Sequence, residues 1–461
     1  MKKDENKLQT RHISMISIGG IIGAGLFVGS GSVINATGPG AILSYGIAGF
    51  LVVLLMRMLG EMAVTNPDSG SFSTYAKEAI GPWAGYTVGW LYWFFWVIVV
   101  AIEATAGAAI VHEWVPELPI WLLSLILTFL LTLSNLVSVK SFGEFEYWFS
   151  MIKILAIIAF MGIGIAIICG IFPNVPSPGT SNLFGHGGFT PNGGTSVFIG
   201  VITVVFSYFG TEIAAIAAGE AKSPQKSLSI AINSVIWRIL LFYIGSITVL
   251  VTLLPWNQGS LLKSPYVTML KMANIPGAAE IMNVVILVAV LSCLNSALYT
   301  NSRMIHSLAK KGQAPRAFAK VNSRGVPIRA VWISTIASYI CAIFSFVSPD
   351  KLFLFLINSS GAIGLIVYLS IAISHLRLRK NTPKKNLPAM KMWLFPYLNY
   401  FTIAAIAIIL ISMAFIESLR SQIFLTLLVT GLVIFSYFFV RRTPISTQHV
   451  PPSTVGEKIT D

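Results

Sequence analysis

Runs of roughly 20 apolar residues recur along nearly the whole chain, and that is the length a helix needs to cross a bilayer core of about 30 Å. Twelve such runs are read, at 14–36, 41–64, 84–112, 119–139, 146–171, 197–218, 234–255, 279–307, 329–347, 352–376, 394–416 and 420–440. In hydrocarbon every backbone polar group must be satisfied internally, which selects helices or closed barrels. Runs this long select helices, so the expected class is an all-α integral membrane protein with twelve transmembrane helices. Only 10% of the 461 residues are charged and mean hydropathy is +0.78, against about 25% charged in a soluble domain. A soluble globular enzyme is excluded.

The net charge of +14 does not point to nucleic acid, because the basic residues concentrate in alternate loops, with Lys263, Lys271, Lys351 and Arg420 as exceptions. Lys2, Lys3, Lys7 and Arg11 precede the first span; Lys310, Lys311, Arg316, Lys320 and Arg324 follow the eighth. Arg377, Arg379, Lys380, Lys384 and Lys385 follow the tenth, and Arg441 and Arg442 the twelfth, whereas 113–118 and 172–196 contain no Lys or Arg. The positive-inside rule then puts both termini in the cytoplasm. No short apolar core with a small-residue cleavage site precedes residue 30, so the first run is expected to be retained as a span. Cys169, Cys293 and Cys341 lie far apart in apolar segments, which argues against a disulfide framework or a zinc site. The expected partners are the lipid bilayer and a small molecule, with no nucleic acid and no obligate protein partner.

Within the first run, Gly19-Gly20-Ile21-Ile22-Gly23-Ala24-Gly25 places four glycines in seven residues. Each costs a helix about 1 kcal/mol against Ala, and broken backbone at membrane depth is tolerated where it is buried in protein or lines a cavity. Span 6 carries a second candidate break, Phe206-Ser207-Tyr208-Phe209-Gly210-Thr211-Glu212. At about 1.5 Å per residue, Gly23 lies roughly 14 Å from the inner face and Gly210 roughly 20 Å from the outer one, at similar depth. The breaks are five spans apart and so run in opposite directions, as an inverted repeat of five plus five requires. The organisation read is a tail at 1–13, a first repeat at 14–172, an external loop at 173–196, a second repeat at 197–378, two added helices within 379–440 and a tail at 441–461.

A broken helix exposes amides that attract anions and carbonyls that attract cations. Two antiparallel broken helices therefore suit one carboxylate and one ammonium, the two ends of an amino acid zwitterion. The competing reading is that the glycines let helices pack closely, and it is strongest for Gly19 and Gly20.

Ionisable residues inside spans cost about 2.5–3.5 kcal/mol at a helix centre. Lys153 in span 5, at a depth close to Gly23, can carry a proton, stay permanently charged as a structural cation, or snorkel to the cytoplasmic face. Glu212 follows the second break and can carry a proton, gate the pocket or brace the half-helix. Glu103 in span 3 can line the substrate route or be a hydrogen-bonded structural acid. Arg57 and Glu61, four apart near the cytoplasmic end of span 2, share a helix face and can pair. His12, His112 and His186 read as surface residues. Most span 3 aromatics read as packing or interfacial, whereas Phe206, Tyr208 and Phe209 flank the break as pocket walls. Asn295 and Asn358 are polar mid-span residues that either line the pocket or bond between helices.

Several stretches together resemble one family. They are Gly20-Ile21-Ile22-Gly23-Ala24-Gly25-Leu26-Phe27-Val28-Gly29-Ser30-Gly31, Arg57-Met58-Leu59-Gly60-Glu61-Met62, and Pro67-Asp68-Ser69-Gly70-Ser71-Phe72-Ser73-Thr74-Tyr75-Ala76. With them go Gly89-Trp90-Leu91-Tyr92-Trp93, Ser141-Phe142-Gly143-Glu144-Phe145-Glu146-Tyr147-Trp148-Phe149 and Ser292-Cys293-Leu294-Asn295-Ser296. Over residues 10–440 the chain is similar to the amino acid–polyamine–organocation permeases, within them the bacterial amino acid transporters, and most of all the γ-aminobutyrate permeases.

The resemblance implies a LeuT-like fold, alternating access, and uptake driven by protons, with the proton as coupling ion and no cofactor. It also implies that Ile21, Ile22, Gly23, Ala24 and Gly25 hold the substrate carboxylate. Carbonyls around Phe206, Ser207, Phe209 and Gly210 would hold the amine, and Lys153 would stand beside the span 1 break. Ala24 occupies a position where some members carry Ser or Thr, so one hydroxyl contact is absent. Segment 66–76 would belong to an inner gate. The leading expectation is a plasma-membrane amino acid importer. Exchange without proton coupling and a non-transporting sensor are the alternatives. A channel lacks its filter or charged ring, and a membrane enzyme lacks a nucleophile–base set.

Overall fold

The computed structural model describes residues 9–440 apart from 20–21, 69, 138, 173–174, 219–223, 258–263, 345–348, 384, 386 and 389. These residues form helices and connecting turns, with no strand among them. The first span is α1 (Thr10–Gly19), a non-helical stretch, then α2 (Ala24–Phe27) and α3 (Gly29–Thr37). The chain turns through a 3-10 segment at Gly38–Gly40 into α4 (Ala41–Thr65), and α5 (Ser71–Ala79) follows as a short helix inside the predicted cytoplasmic loop. Then come α6 (Pro82–Trp114), α7 (Ile120–Asn135), α8 (Val139–Ile168) and the short α9 (Ser181–Phe184) within the predicted external loop. The sixth span is α10 (Gly193–Tyr208), a break, and α11 (Ile213–Ala218).

After it, α12 (Pro224–Arg238) passes through a π-helical segment, Ile239–Gly245, into α13 (Ser246–Leu253). The rest is α14 (Pro265–Met272), α15 (Ala278–Lys310), α16 (Ile328–Phe344), α17 (Pro349–Asn381), α18 (Tyr397–Phe415) and α19 (Glu417–Val440). Among the described residues, nine helical runs are long and apolar enough to cross a membrane, and two shorter apolar helices accompany them. The first of the nine, Ala24–Thr65, turns back at Gly38–Gly40 and covers parts of two predicted spans.

The packing obeys the inverted repeat. Adding or subtracting five converts the span 1–span 5 contact (α1 with α8) into the span 6–span 10 contact (α10 with α17). The same operation converts span 1 on span 7 (α1 with α12) into span 6 on span 2 (α10 with α4). It maps the contact of span 3 with span 8, α6 with α15, onto itself. The last two helices pack on each other and on α17, with α18 also touching α4 and α19 touching α6. The outer helix α19 leaves Leu428, Leu432, Phe435 and Phe439 exposed, a surface suited to lipid tails rather than water.

Two boundaries differ from the expectation in a way that matters. Helix α8 begins at Val139, not near 146, and α12 begins at Pro224, not near 234. Both helices start with polar turns, which hydropathy reads as loop although the backbone is already helical. Glu146 and Arg238 are both buried.

Candidate functional site

Both predicted breaks exist. At the first, Ile22 lies outside any helix and Gly23 is extended, at φ −140° and ψ −149°, before α2 starts at Ala24. Any residue tolerates that backbone, so Gly23 is needed for space. A Cβ there would stand 2.7 Å from Glu103 Oε1 and 2.8 Å from Cys293 Cβ. At Gly25 a Cβ would sit 3.0 Å from the backbone of Ser207, and Ser207 Oγ donates to the Gly25 carbonyl at 2.8 Å. The two broken helices therefore touch at their breaks. Gly20 and Ile21 lie outside the described residues.

At the second break α10 stops at Tyr208, and Gly210 takes φ +102°, a conformation that side chains with a Cβ rarely adopt. Phe209 N still donates to the Phe206 carbonyl at 3.1 Å. Glu212 folds back so that the Gly210 amide donates to both its oxygens, at 3.1 and 3.0 Å. Tyr92 OH donates to Glu212 Oε1 at 2.8 Å and Tyr368 OH to Oε2 at 3.3 Å. Glu212 thus caps its own break and ties it to α6 and α17.

The first break is held by groups from other helices. The Ala24 amide donates to Glu103 of α6, at 3.0 Å to Oε2 and 3.2 Å to Oε1. One residue before Gly23, the Ile22 carbonyl accepts from Lys153 Nζ of α8 at 3.3 Å. Lys153 also donates to Ser292 Oγ of α15 at 2.9 Å. A carboxylate therefore meets the amide end of the gap and an ammonium meets the carbonyl end, both side chains fully buried.

Between the breaks lies a small cavity. Gly25, Phe206, Ser207 and Phe209 supply one side; Phe95, Trp96, Val99 and Glu103 of α6 and Cys293 of α15 supply the other. Phe209 stacks on Tyr368 with ring centroids 4.2 Å apart and packs on Phe95 at 4.5 Å. The chamber is apolar-walled with a few polar groups converging on it, the usual make-up of a small-molecule site.

Four expectations need correction. Tyr208 does not line the cavity: its hydroxyl donates to the Tyr45 carbonyl at 3.0 Å and its ring packs on Tyr243. On a helix it points roughly 200° from Phe206, whereas Phe206 and Phe209 are near-neighbours in azimuth. Phe95 and Trp96, read as packing aromatics, do line it. Arg57 does not bond Glu61. It donates to the Lys391 carbonyl and Asn233 Oδ1, while Glu61 takes Arg379 at 2.7 Å, His375 at 3.0 Å and the Met392 amide at 2.6 Å. His12 is buried rather than superficial, 3.1 Å from Glu144 Oε1.

Asn295 lies away from the cavity, donating to Glu146 Oε1 at 3.1 Å and accepting from Asn135 at 2.7 Å. The Asn358 side chain lies outside the described residues. At the α15 end that carries α5, Lys311 donates to Thr74 Oγ1 at 2.6 Å and Thr74 to Asp68 at 2.9 Å. This contact pins the α5 region to the end of α15. Burial lowers the Lys311 pKa, and Asp68 offsets part of that.

Comparison with known proteins agrees with this architecture. A model of the amino acid permease family matches residues 12–450. The chain is 58% identical over 444 residues to the gamma-aminobutyric acid permease of Bacillus subtilis, covering 96% of this chain and 95% of that one. It is 49% identical to the gamma-aminobutyric acid permease of Escherichia coli, covering 92% of each. It is 40% identical to the aromatic amino acid transport protein AroP of Corynebacterium glutamicum, covering 96% and 97%. Among solved structures, a manganese transporter of Eremococcus coleocola superposes with a TM-score of 0.56 over 94% of both chains at 15% identity. That likeness is one of fold.

Proposed function

Because the chain belongs to the amino acid permease family, a multi-pass membrane protein that transports amino acids rather than an enzyme, we propose that it imports a zwitterionic amino acid by proton symport with alternating access. γ-Aminobutyrate is the first candidate substrate. The proposed location is the plasma membrane, with both termini cytoplasmic, as the distribution of Lys and Arg supports.

The capping of the Gly23 break carries this reading. Glu103 already rests a carboxylate on the Ala24 amide, and Lys153 an ammonium on the Ile22 carbonyl. The gap is thus built to hold the two charges of an amino acid. A substrate carboxylate that approaches Ala24 must replace that of Glu103. Two carboxylates cannot share one amide at low dielectric without severe repulsion. Glu103 leaves at least cost as the neutral acid, so substrate binding draws in a proton. The substrate ammonium goes toward the end of α10, where carbonyls and the faces of Phe206 and Phe209 offer hydrogen bonds and cation–π attraction. The relatives named as γ-aminobutyrate permeases at 58% and 49% identity favour that substrate over the aromatic amino acids of the 40% relative.

The test is uptake by purified protein in proteoliposomes. An imposed inward proton gradient should drive accumulation of labelled γ-aminobutyrate. A panel of unlabelled amino acids should rank γ-aminobutyrate first in competition. Uptake that needs internal amino acid and ignores the gradient would replace symport by exchange, and binding without flux would make the protein a sensor.

A further inference from the structure

Helix α8 carries a second fully buried ionisable residue, Glu146, which the mechanism above does not use. It lies seven residues, close to two turns, before Lys153, so the two share a helix face. Ser292 of α15 stands between them. Its hydroxyl accepts from Lys153 Nζ at 2.9 Å and donates to Glu146 Oε2 at 2.7 Å. The other oxygen, Oε1, accepts from Asn295 Nδ2, whose own carbonyl is fixed by Asn135 at 2.7 Å and Ser134 at 3.2 Å. Glu146 is therefore held in one orientation, with one oxygen aimed at the serine.

The surroundings leave few other proton partners. Cys293 of α15 and Glu103 of α6 are the further titratable groups near the pair. Helices α7 and α13 contain no ionisable side chain. From α1, Arg11 and His12 go to Glu144. Tyr266 of α14 bonds Ser246, and Tyr243 of the π-helical segment bonds the Ser207 carbonyl.

We propose that Glu146 is the proton partner of Lys153, exchanging a proton with it through Ser292. An N–H bond of the Lys153 ammonium breaks as Ser292 Oγ takes that proton, and the serine passes its own hydroxyl proton to Glu146 Oε2. The ammonium and carboxylate become a neutral amine and a carboxylic acid, the serine is regenerated, and no other reactant is consumed. Neutralising two opposite charges in a dry interior also removes their desolvation cost, which makes the step reversible in energy as well as in atoms. The consequence is mechanical. A neutral Lys153 holds the Ile22 carbonyl less strongly, so the proton's position sets how firmly the first break is clamped. Glu146 acts here through Lys153 and is a positioning residue.

This inference rests on the proton-coupled reading, and the experiment separates the two. Full-length wild type, Glu146→Gln, Ser292→Ala and Ser292→Thr are reconstituted, with monodispersity checked before use. Two activities are read with whichever amino acid the competition panel ranks first. One is accumulation and dye-reported proton movement under a gradient; the other is exchange of labelled for unlabelled substrate, which needs no net proton transfer. Glu146→Gln and Ser292→Ala should lose gradient-driven accumulation by about tenfold or more, a lower bound on an acid–base contribution, while exchange falls far less. Ser292→Thr, which keeps the hydroxyl, should restore accumulation. Accumulation by Ser292→Ala equal to wild type overturns the relay, as does an equal loss of both activities in Glu146→Gln and Ser292→Ala. A wild-type protein that exchanges substrate but neither accumulates it nor moves protons under the gradient overturns the relay together with the symport reading.

Discussion

The two helix breaks share a depth and a logic but not a set of partners. At Gly23 the exposed amide and carbonyl are held by charged side chains from two other helices, Glu103 and Lys153. At Gly210 the amide is held by Glu212, two residues along the same chain, and neutral phenols from α6 and α17 complete the carboxylate's bonds. The first arrangement can be exchanged for a ligand's charges, since its partners belong to separate helices. The second moves with its own helix and acts as a brace. An inverted repeat thus supplies two similar gaps with different partners, and on the proposed reading the first is the binding locus and the second a joint.

The largest effect that would test this division comes from filling the first gap. A Cβ at Gly23 collides with Glu103 and Cys293, and overpacking of this kind costs about 1–3 kcal/mol. Gly23→Val should lower uptake by about one to two orders of magnitude while leaving detergent-solubilised protein folded by circular dichroism. Wild-type uptake in that variant would remove the first break from the site. Next in size is Glu103→Gln. In wild type, apparent affinity should improve as pH falls, because protonation withdraws the carboxylate that competes for Ala24. The glutamine cannot titrate, so affinity should become nearly independent of pH and accumulation should fall by about tenfold or more. A Glu103→Gln variant with the wild-type pH profile would assign the proton elsewhere.

The two breaks are legible in sequence because glycine weakens a membrane helix and so stands out in the middle of an apolar run. Lys153, Glu103 and Glu212 are legible because a charge in such a run is expensive. What escapes is anything that depends on azimuth or on helix ends. Tyr208 flanks the break in sequence and faces away from it in space. Glu146 and Arg238 fall within the predicted spans, but nothing in the sequence marks which helix face they take, so hydropathy does not report which neighbours bury them. The Arg57–Glu61 spacing suggests a pair, yet α17 and the segment at 390–392 bring stronger partners that no local pattern reports.

The brace at the second break yields smaller, graded effects. Tyr92→Phe removes a 2.8 Å hydrogen bond to Glu212 and Tyr368→Phe a 3.3 Å one. A hydrogen bond to a charged group contributes about 1.5–3 kcal/mol, so Tyr92→Phe should lower thermal stability measurably and Tyr368→Phe by less. Glu212→Gln keeps one oxygen to accept from the Gly210 amide and Tyr92 and turns an NH2 toward Tyr368, so it should lose about as much stability as Tyr368→Phe and less than Tyr92→Phe. In all three the ratio of accumulation to exchange should stay at the wild-type value, because a joint alters how readily the helix moves and not which proton travels with the substrate. Tyr368→Phe is the most discriminating of them. Its bond is the longest, so a change in that ratio with unaltered melting temperature would give the second break a chemical role and dissolve the contrast with the first.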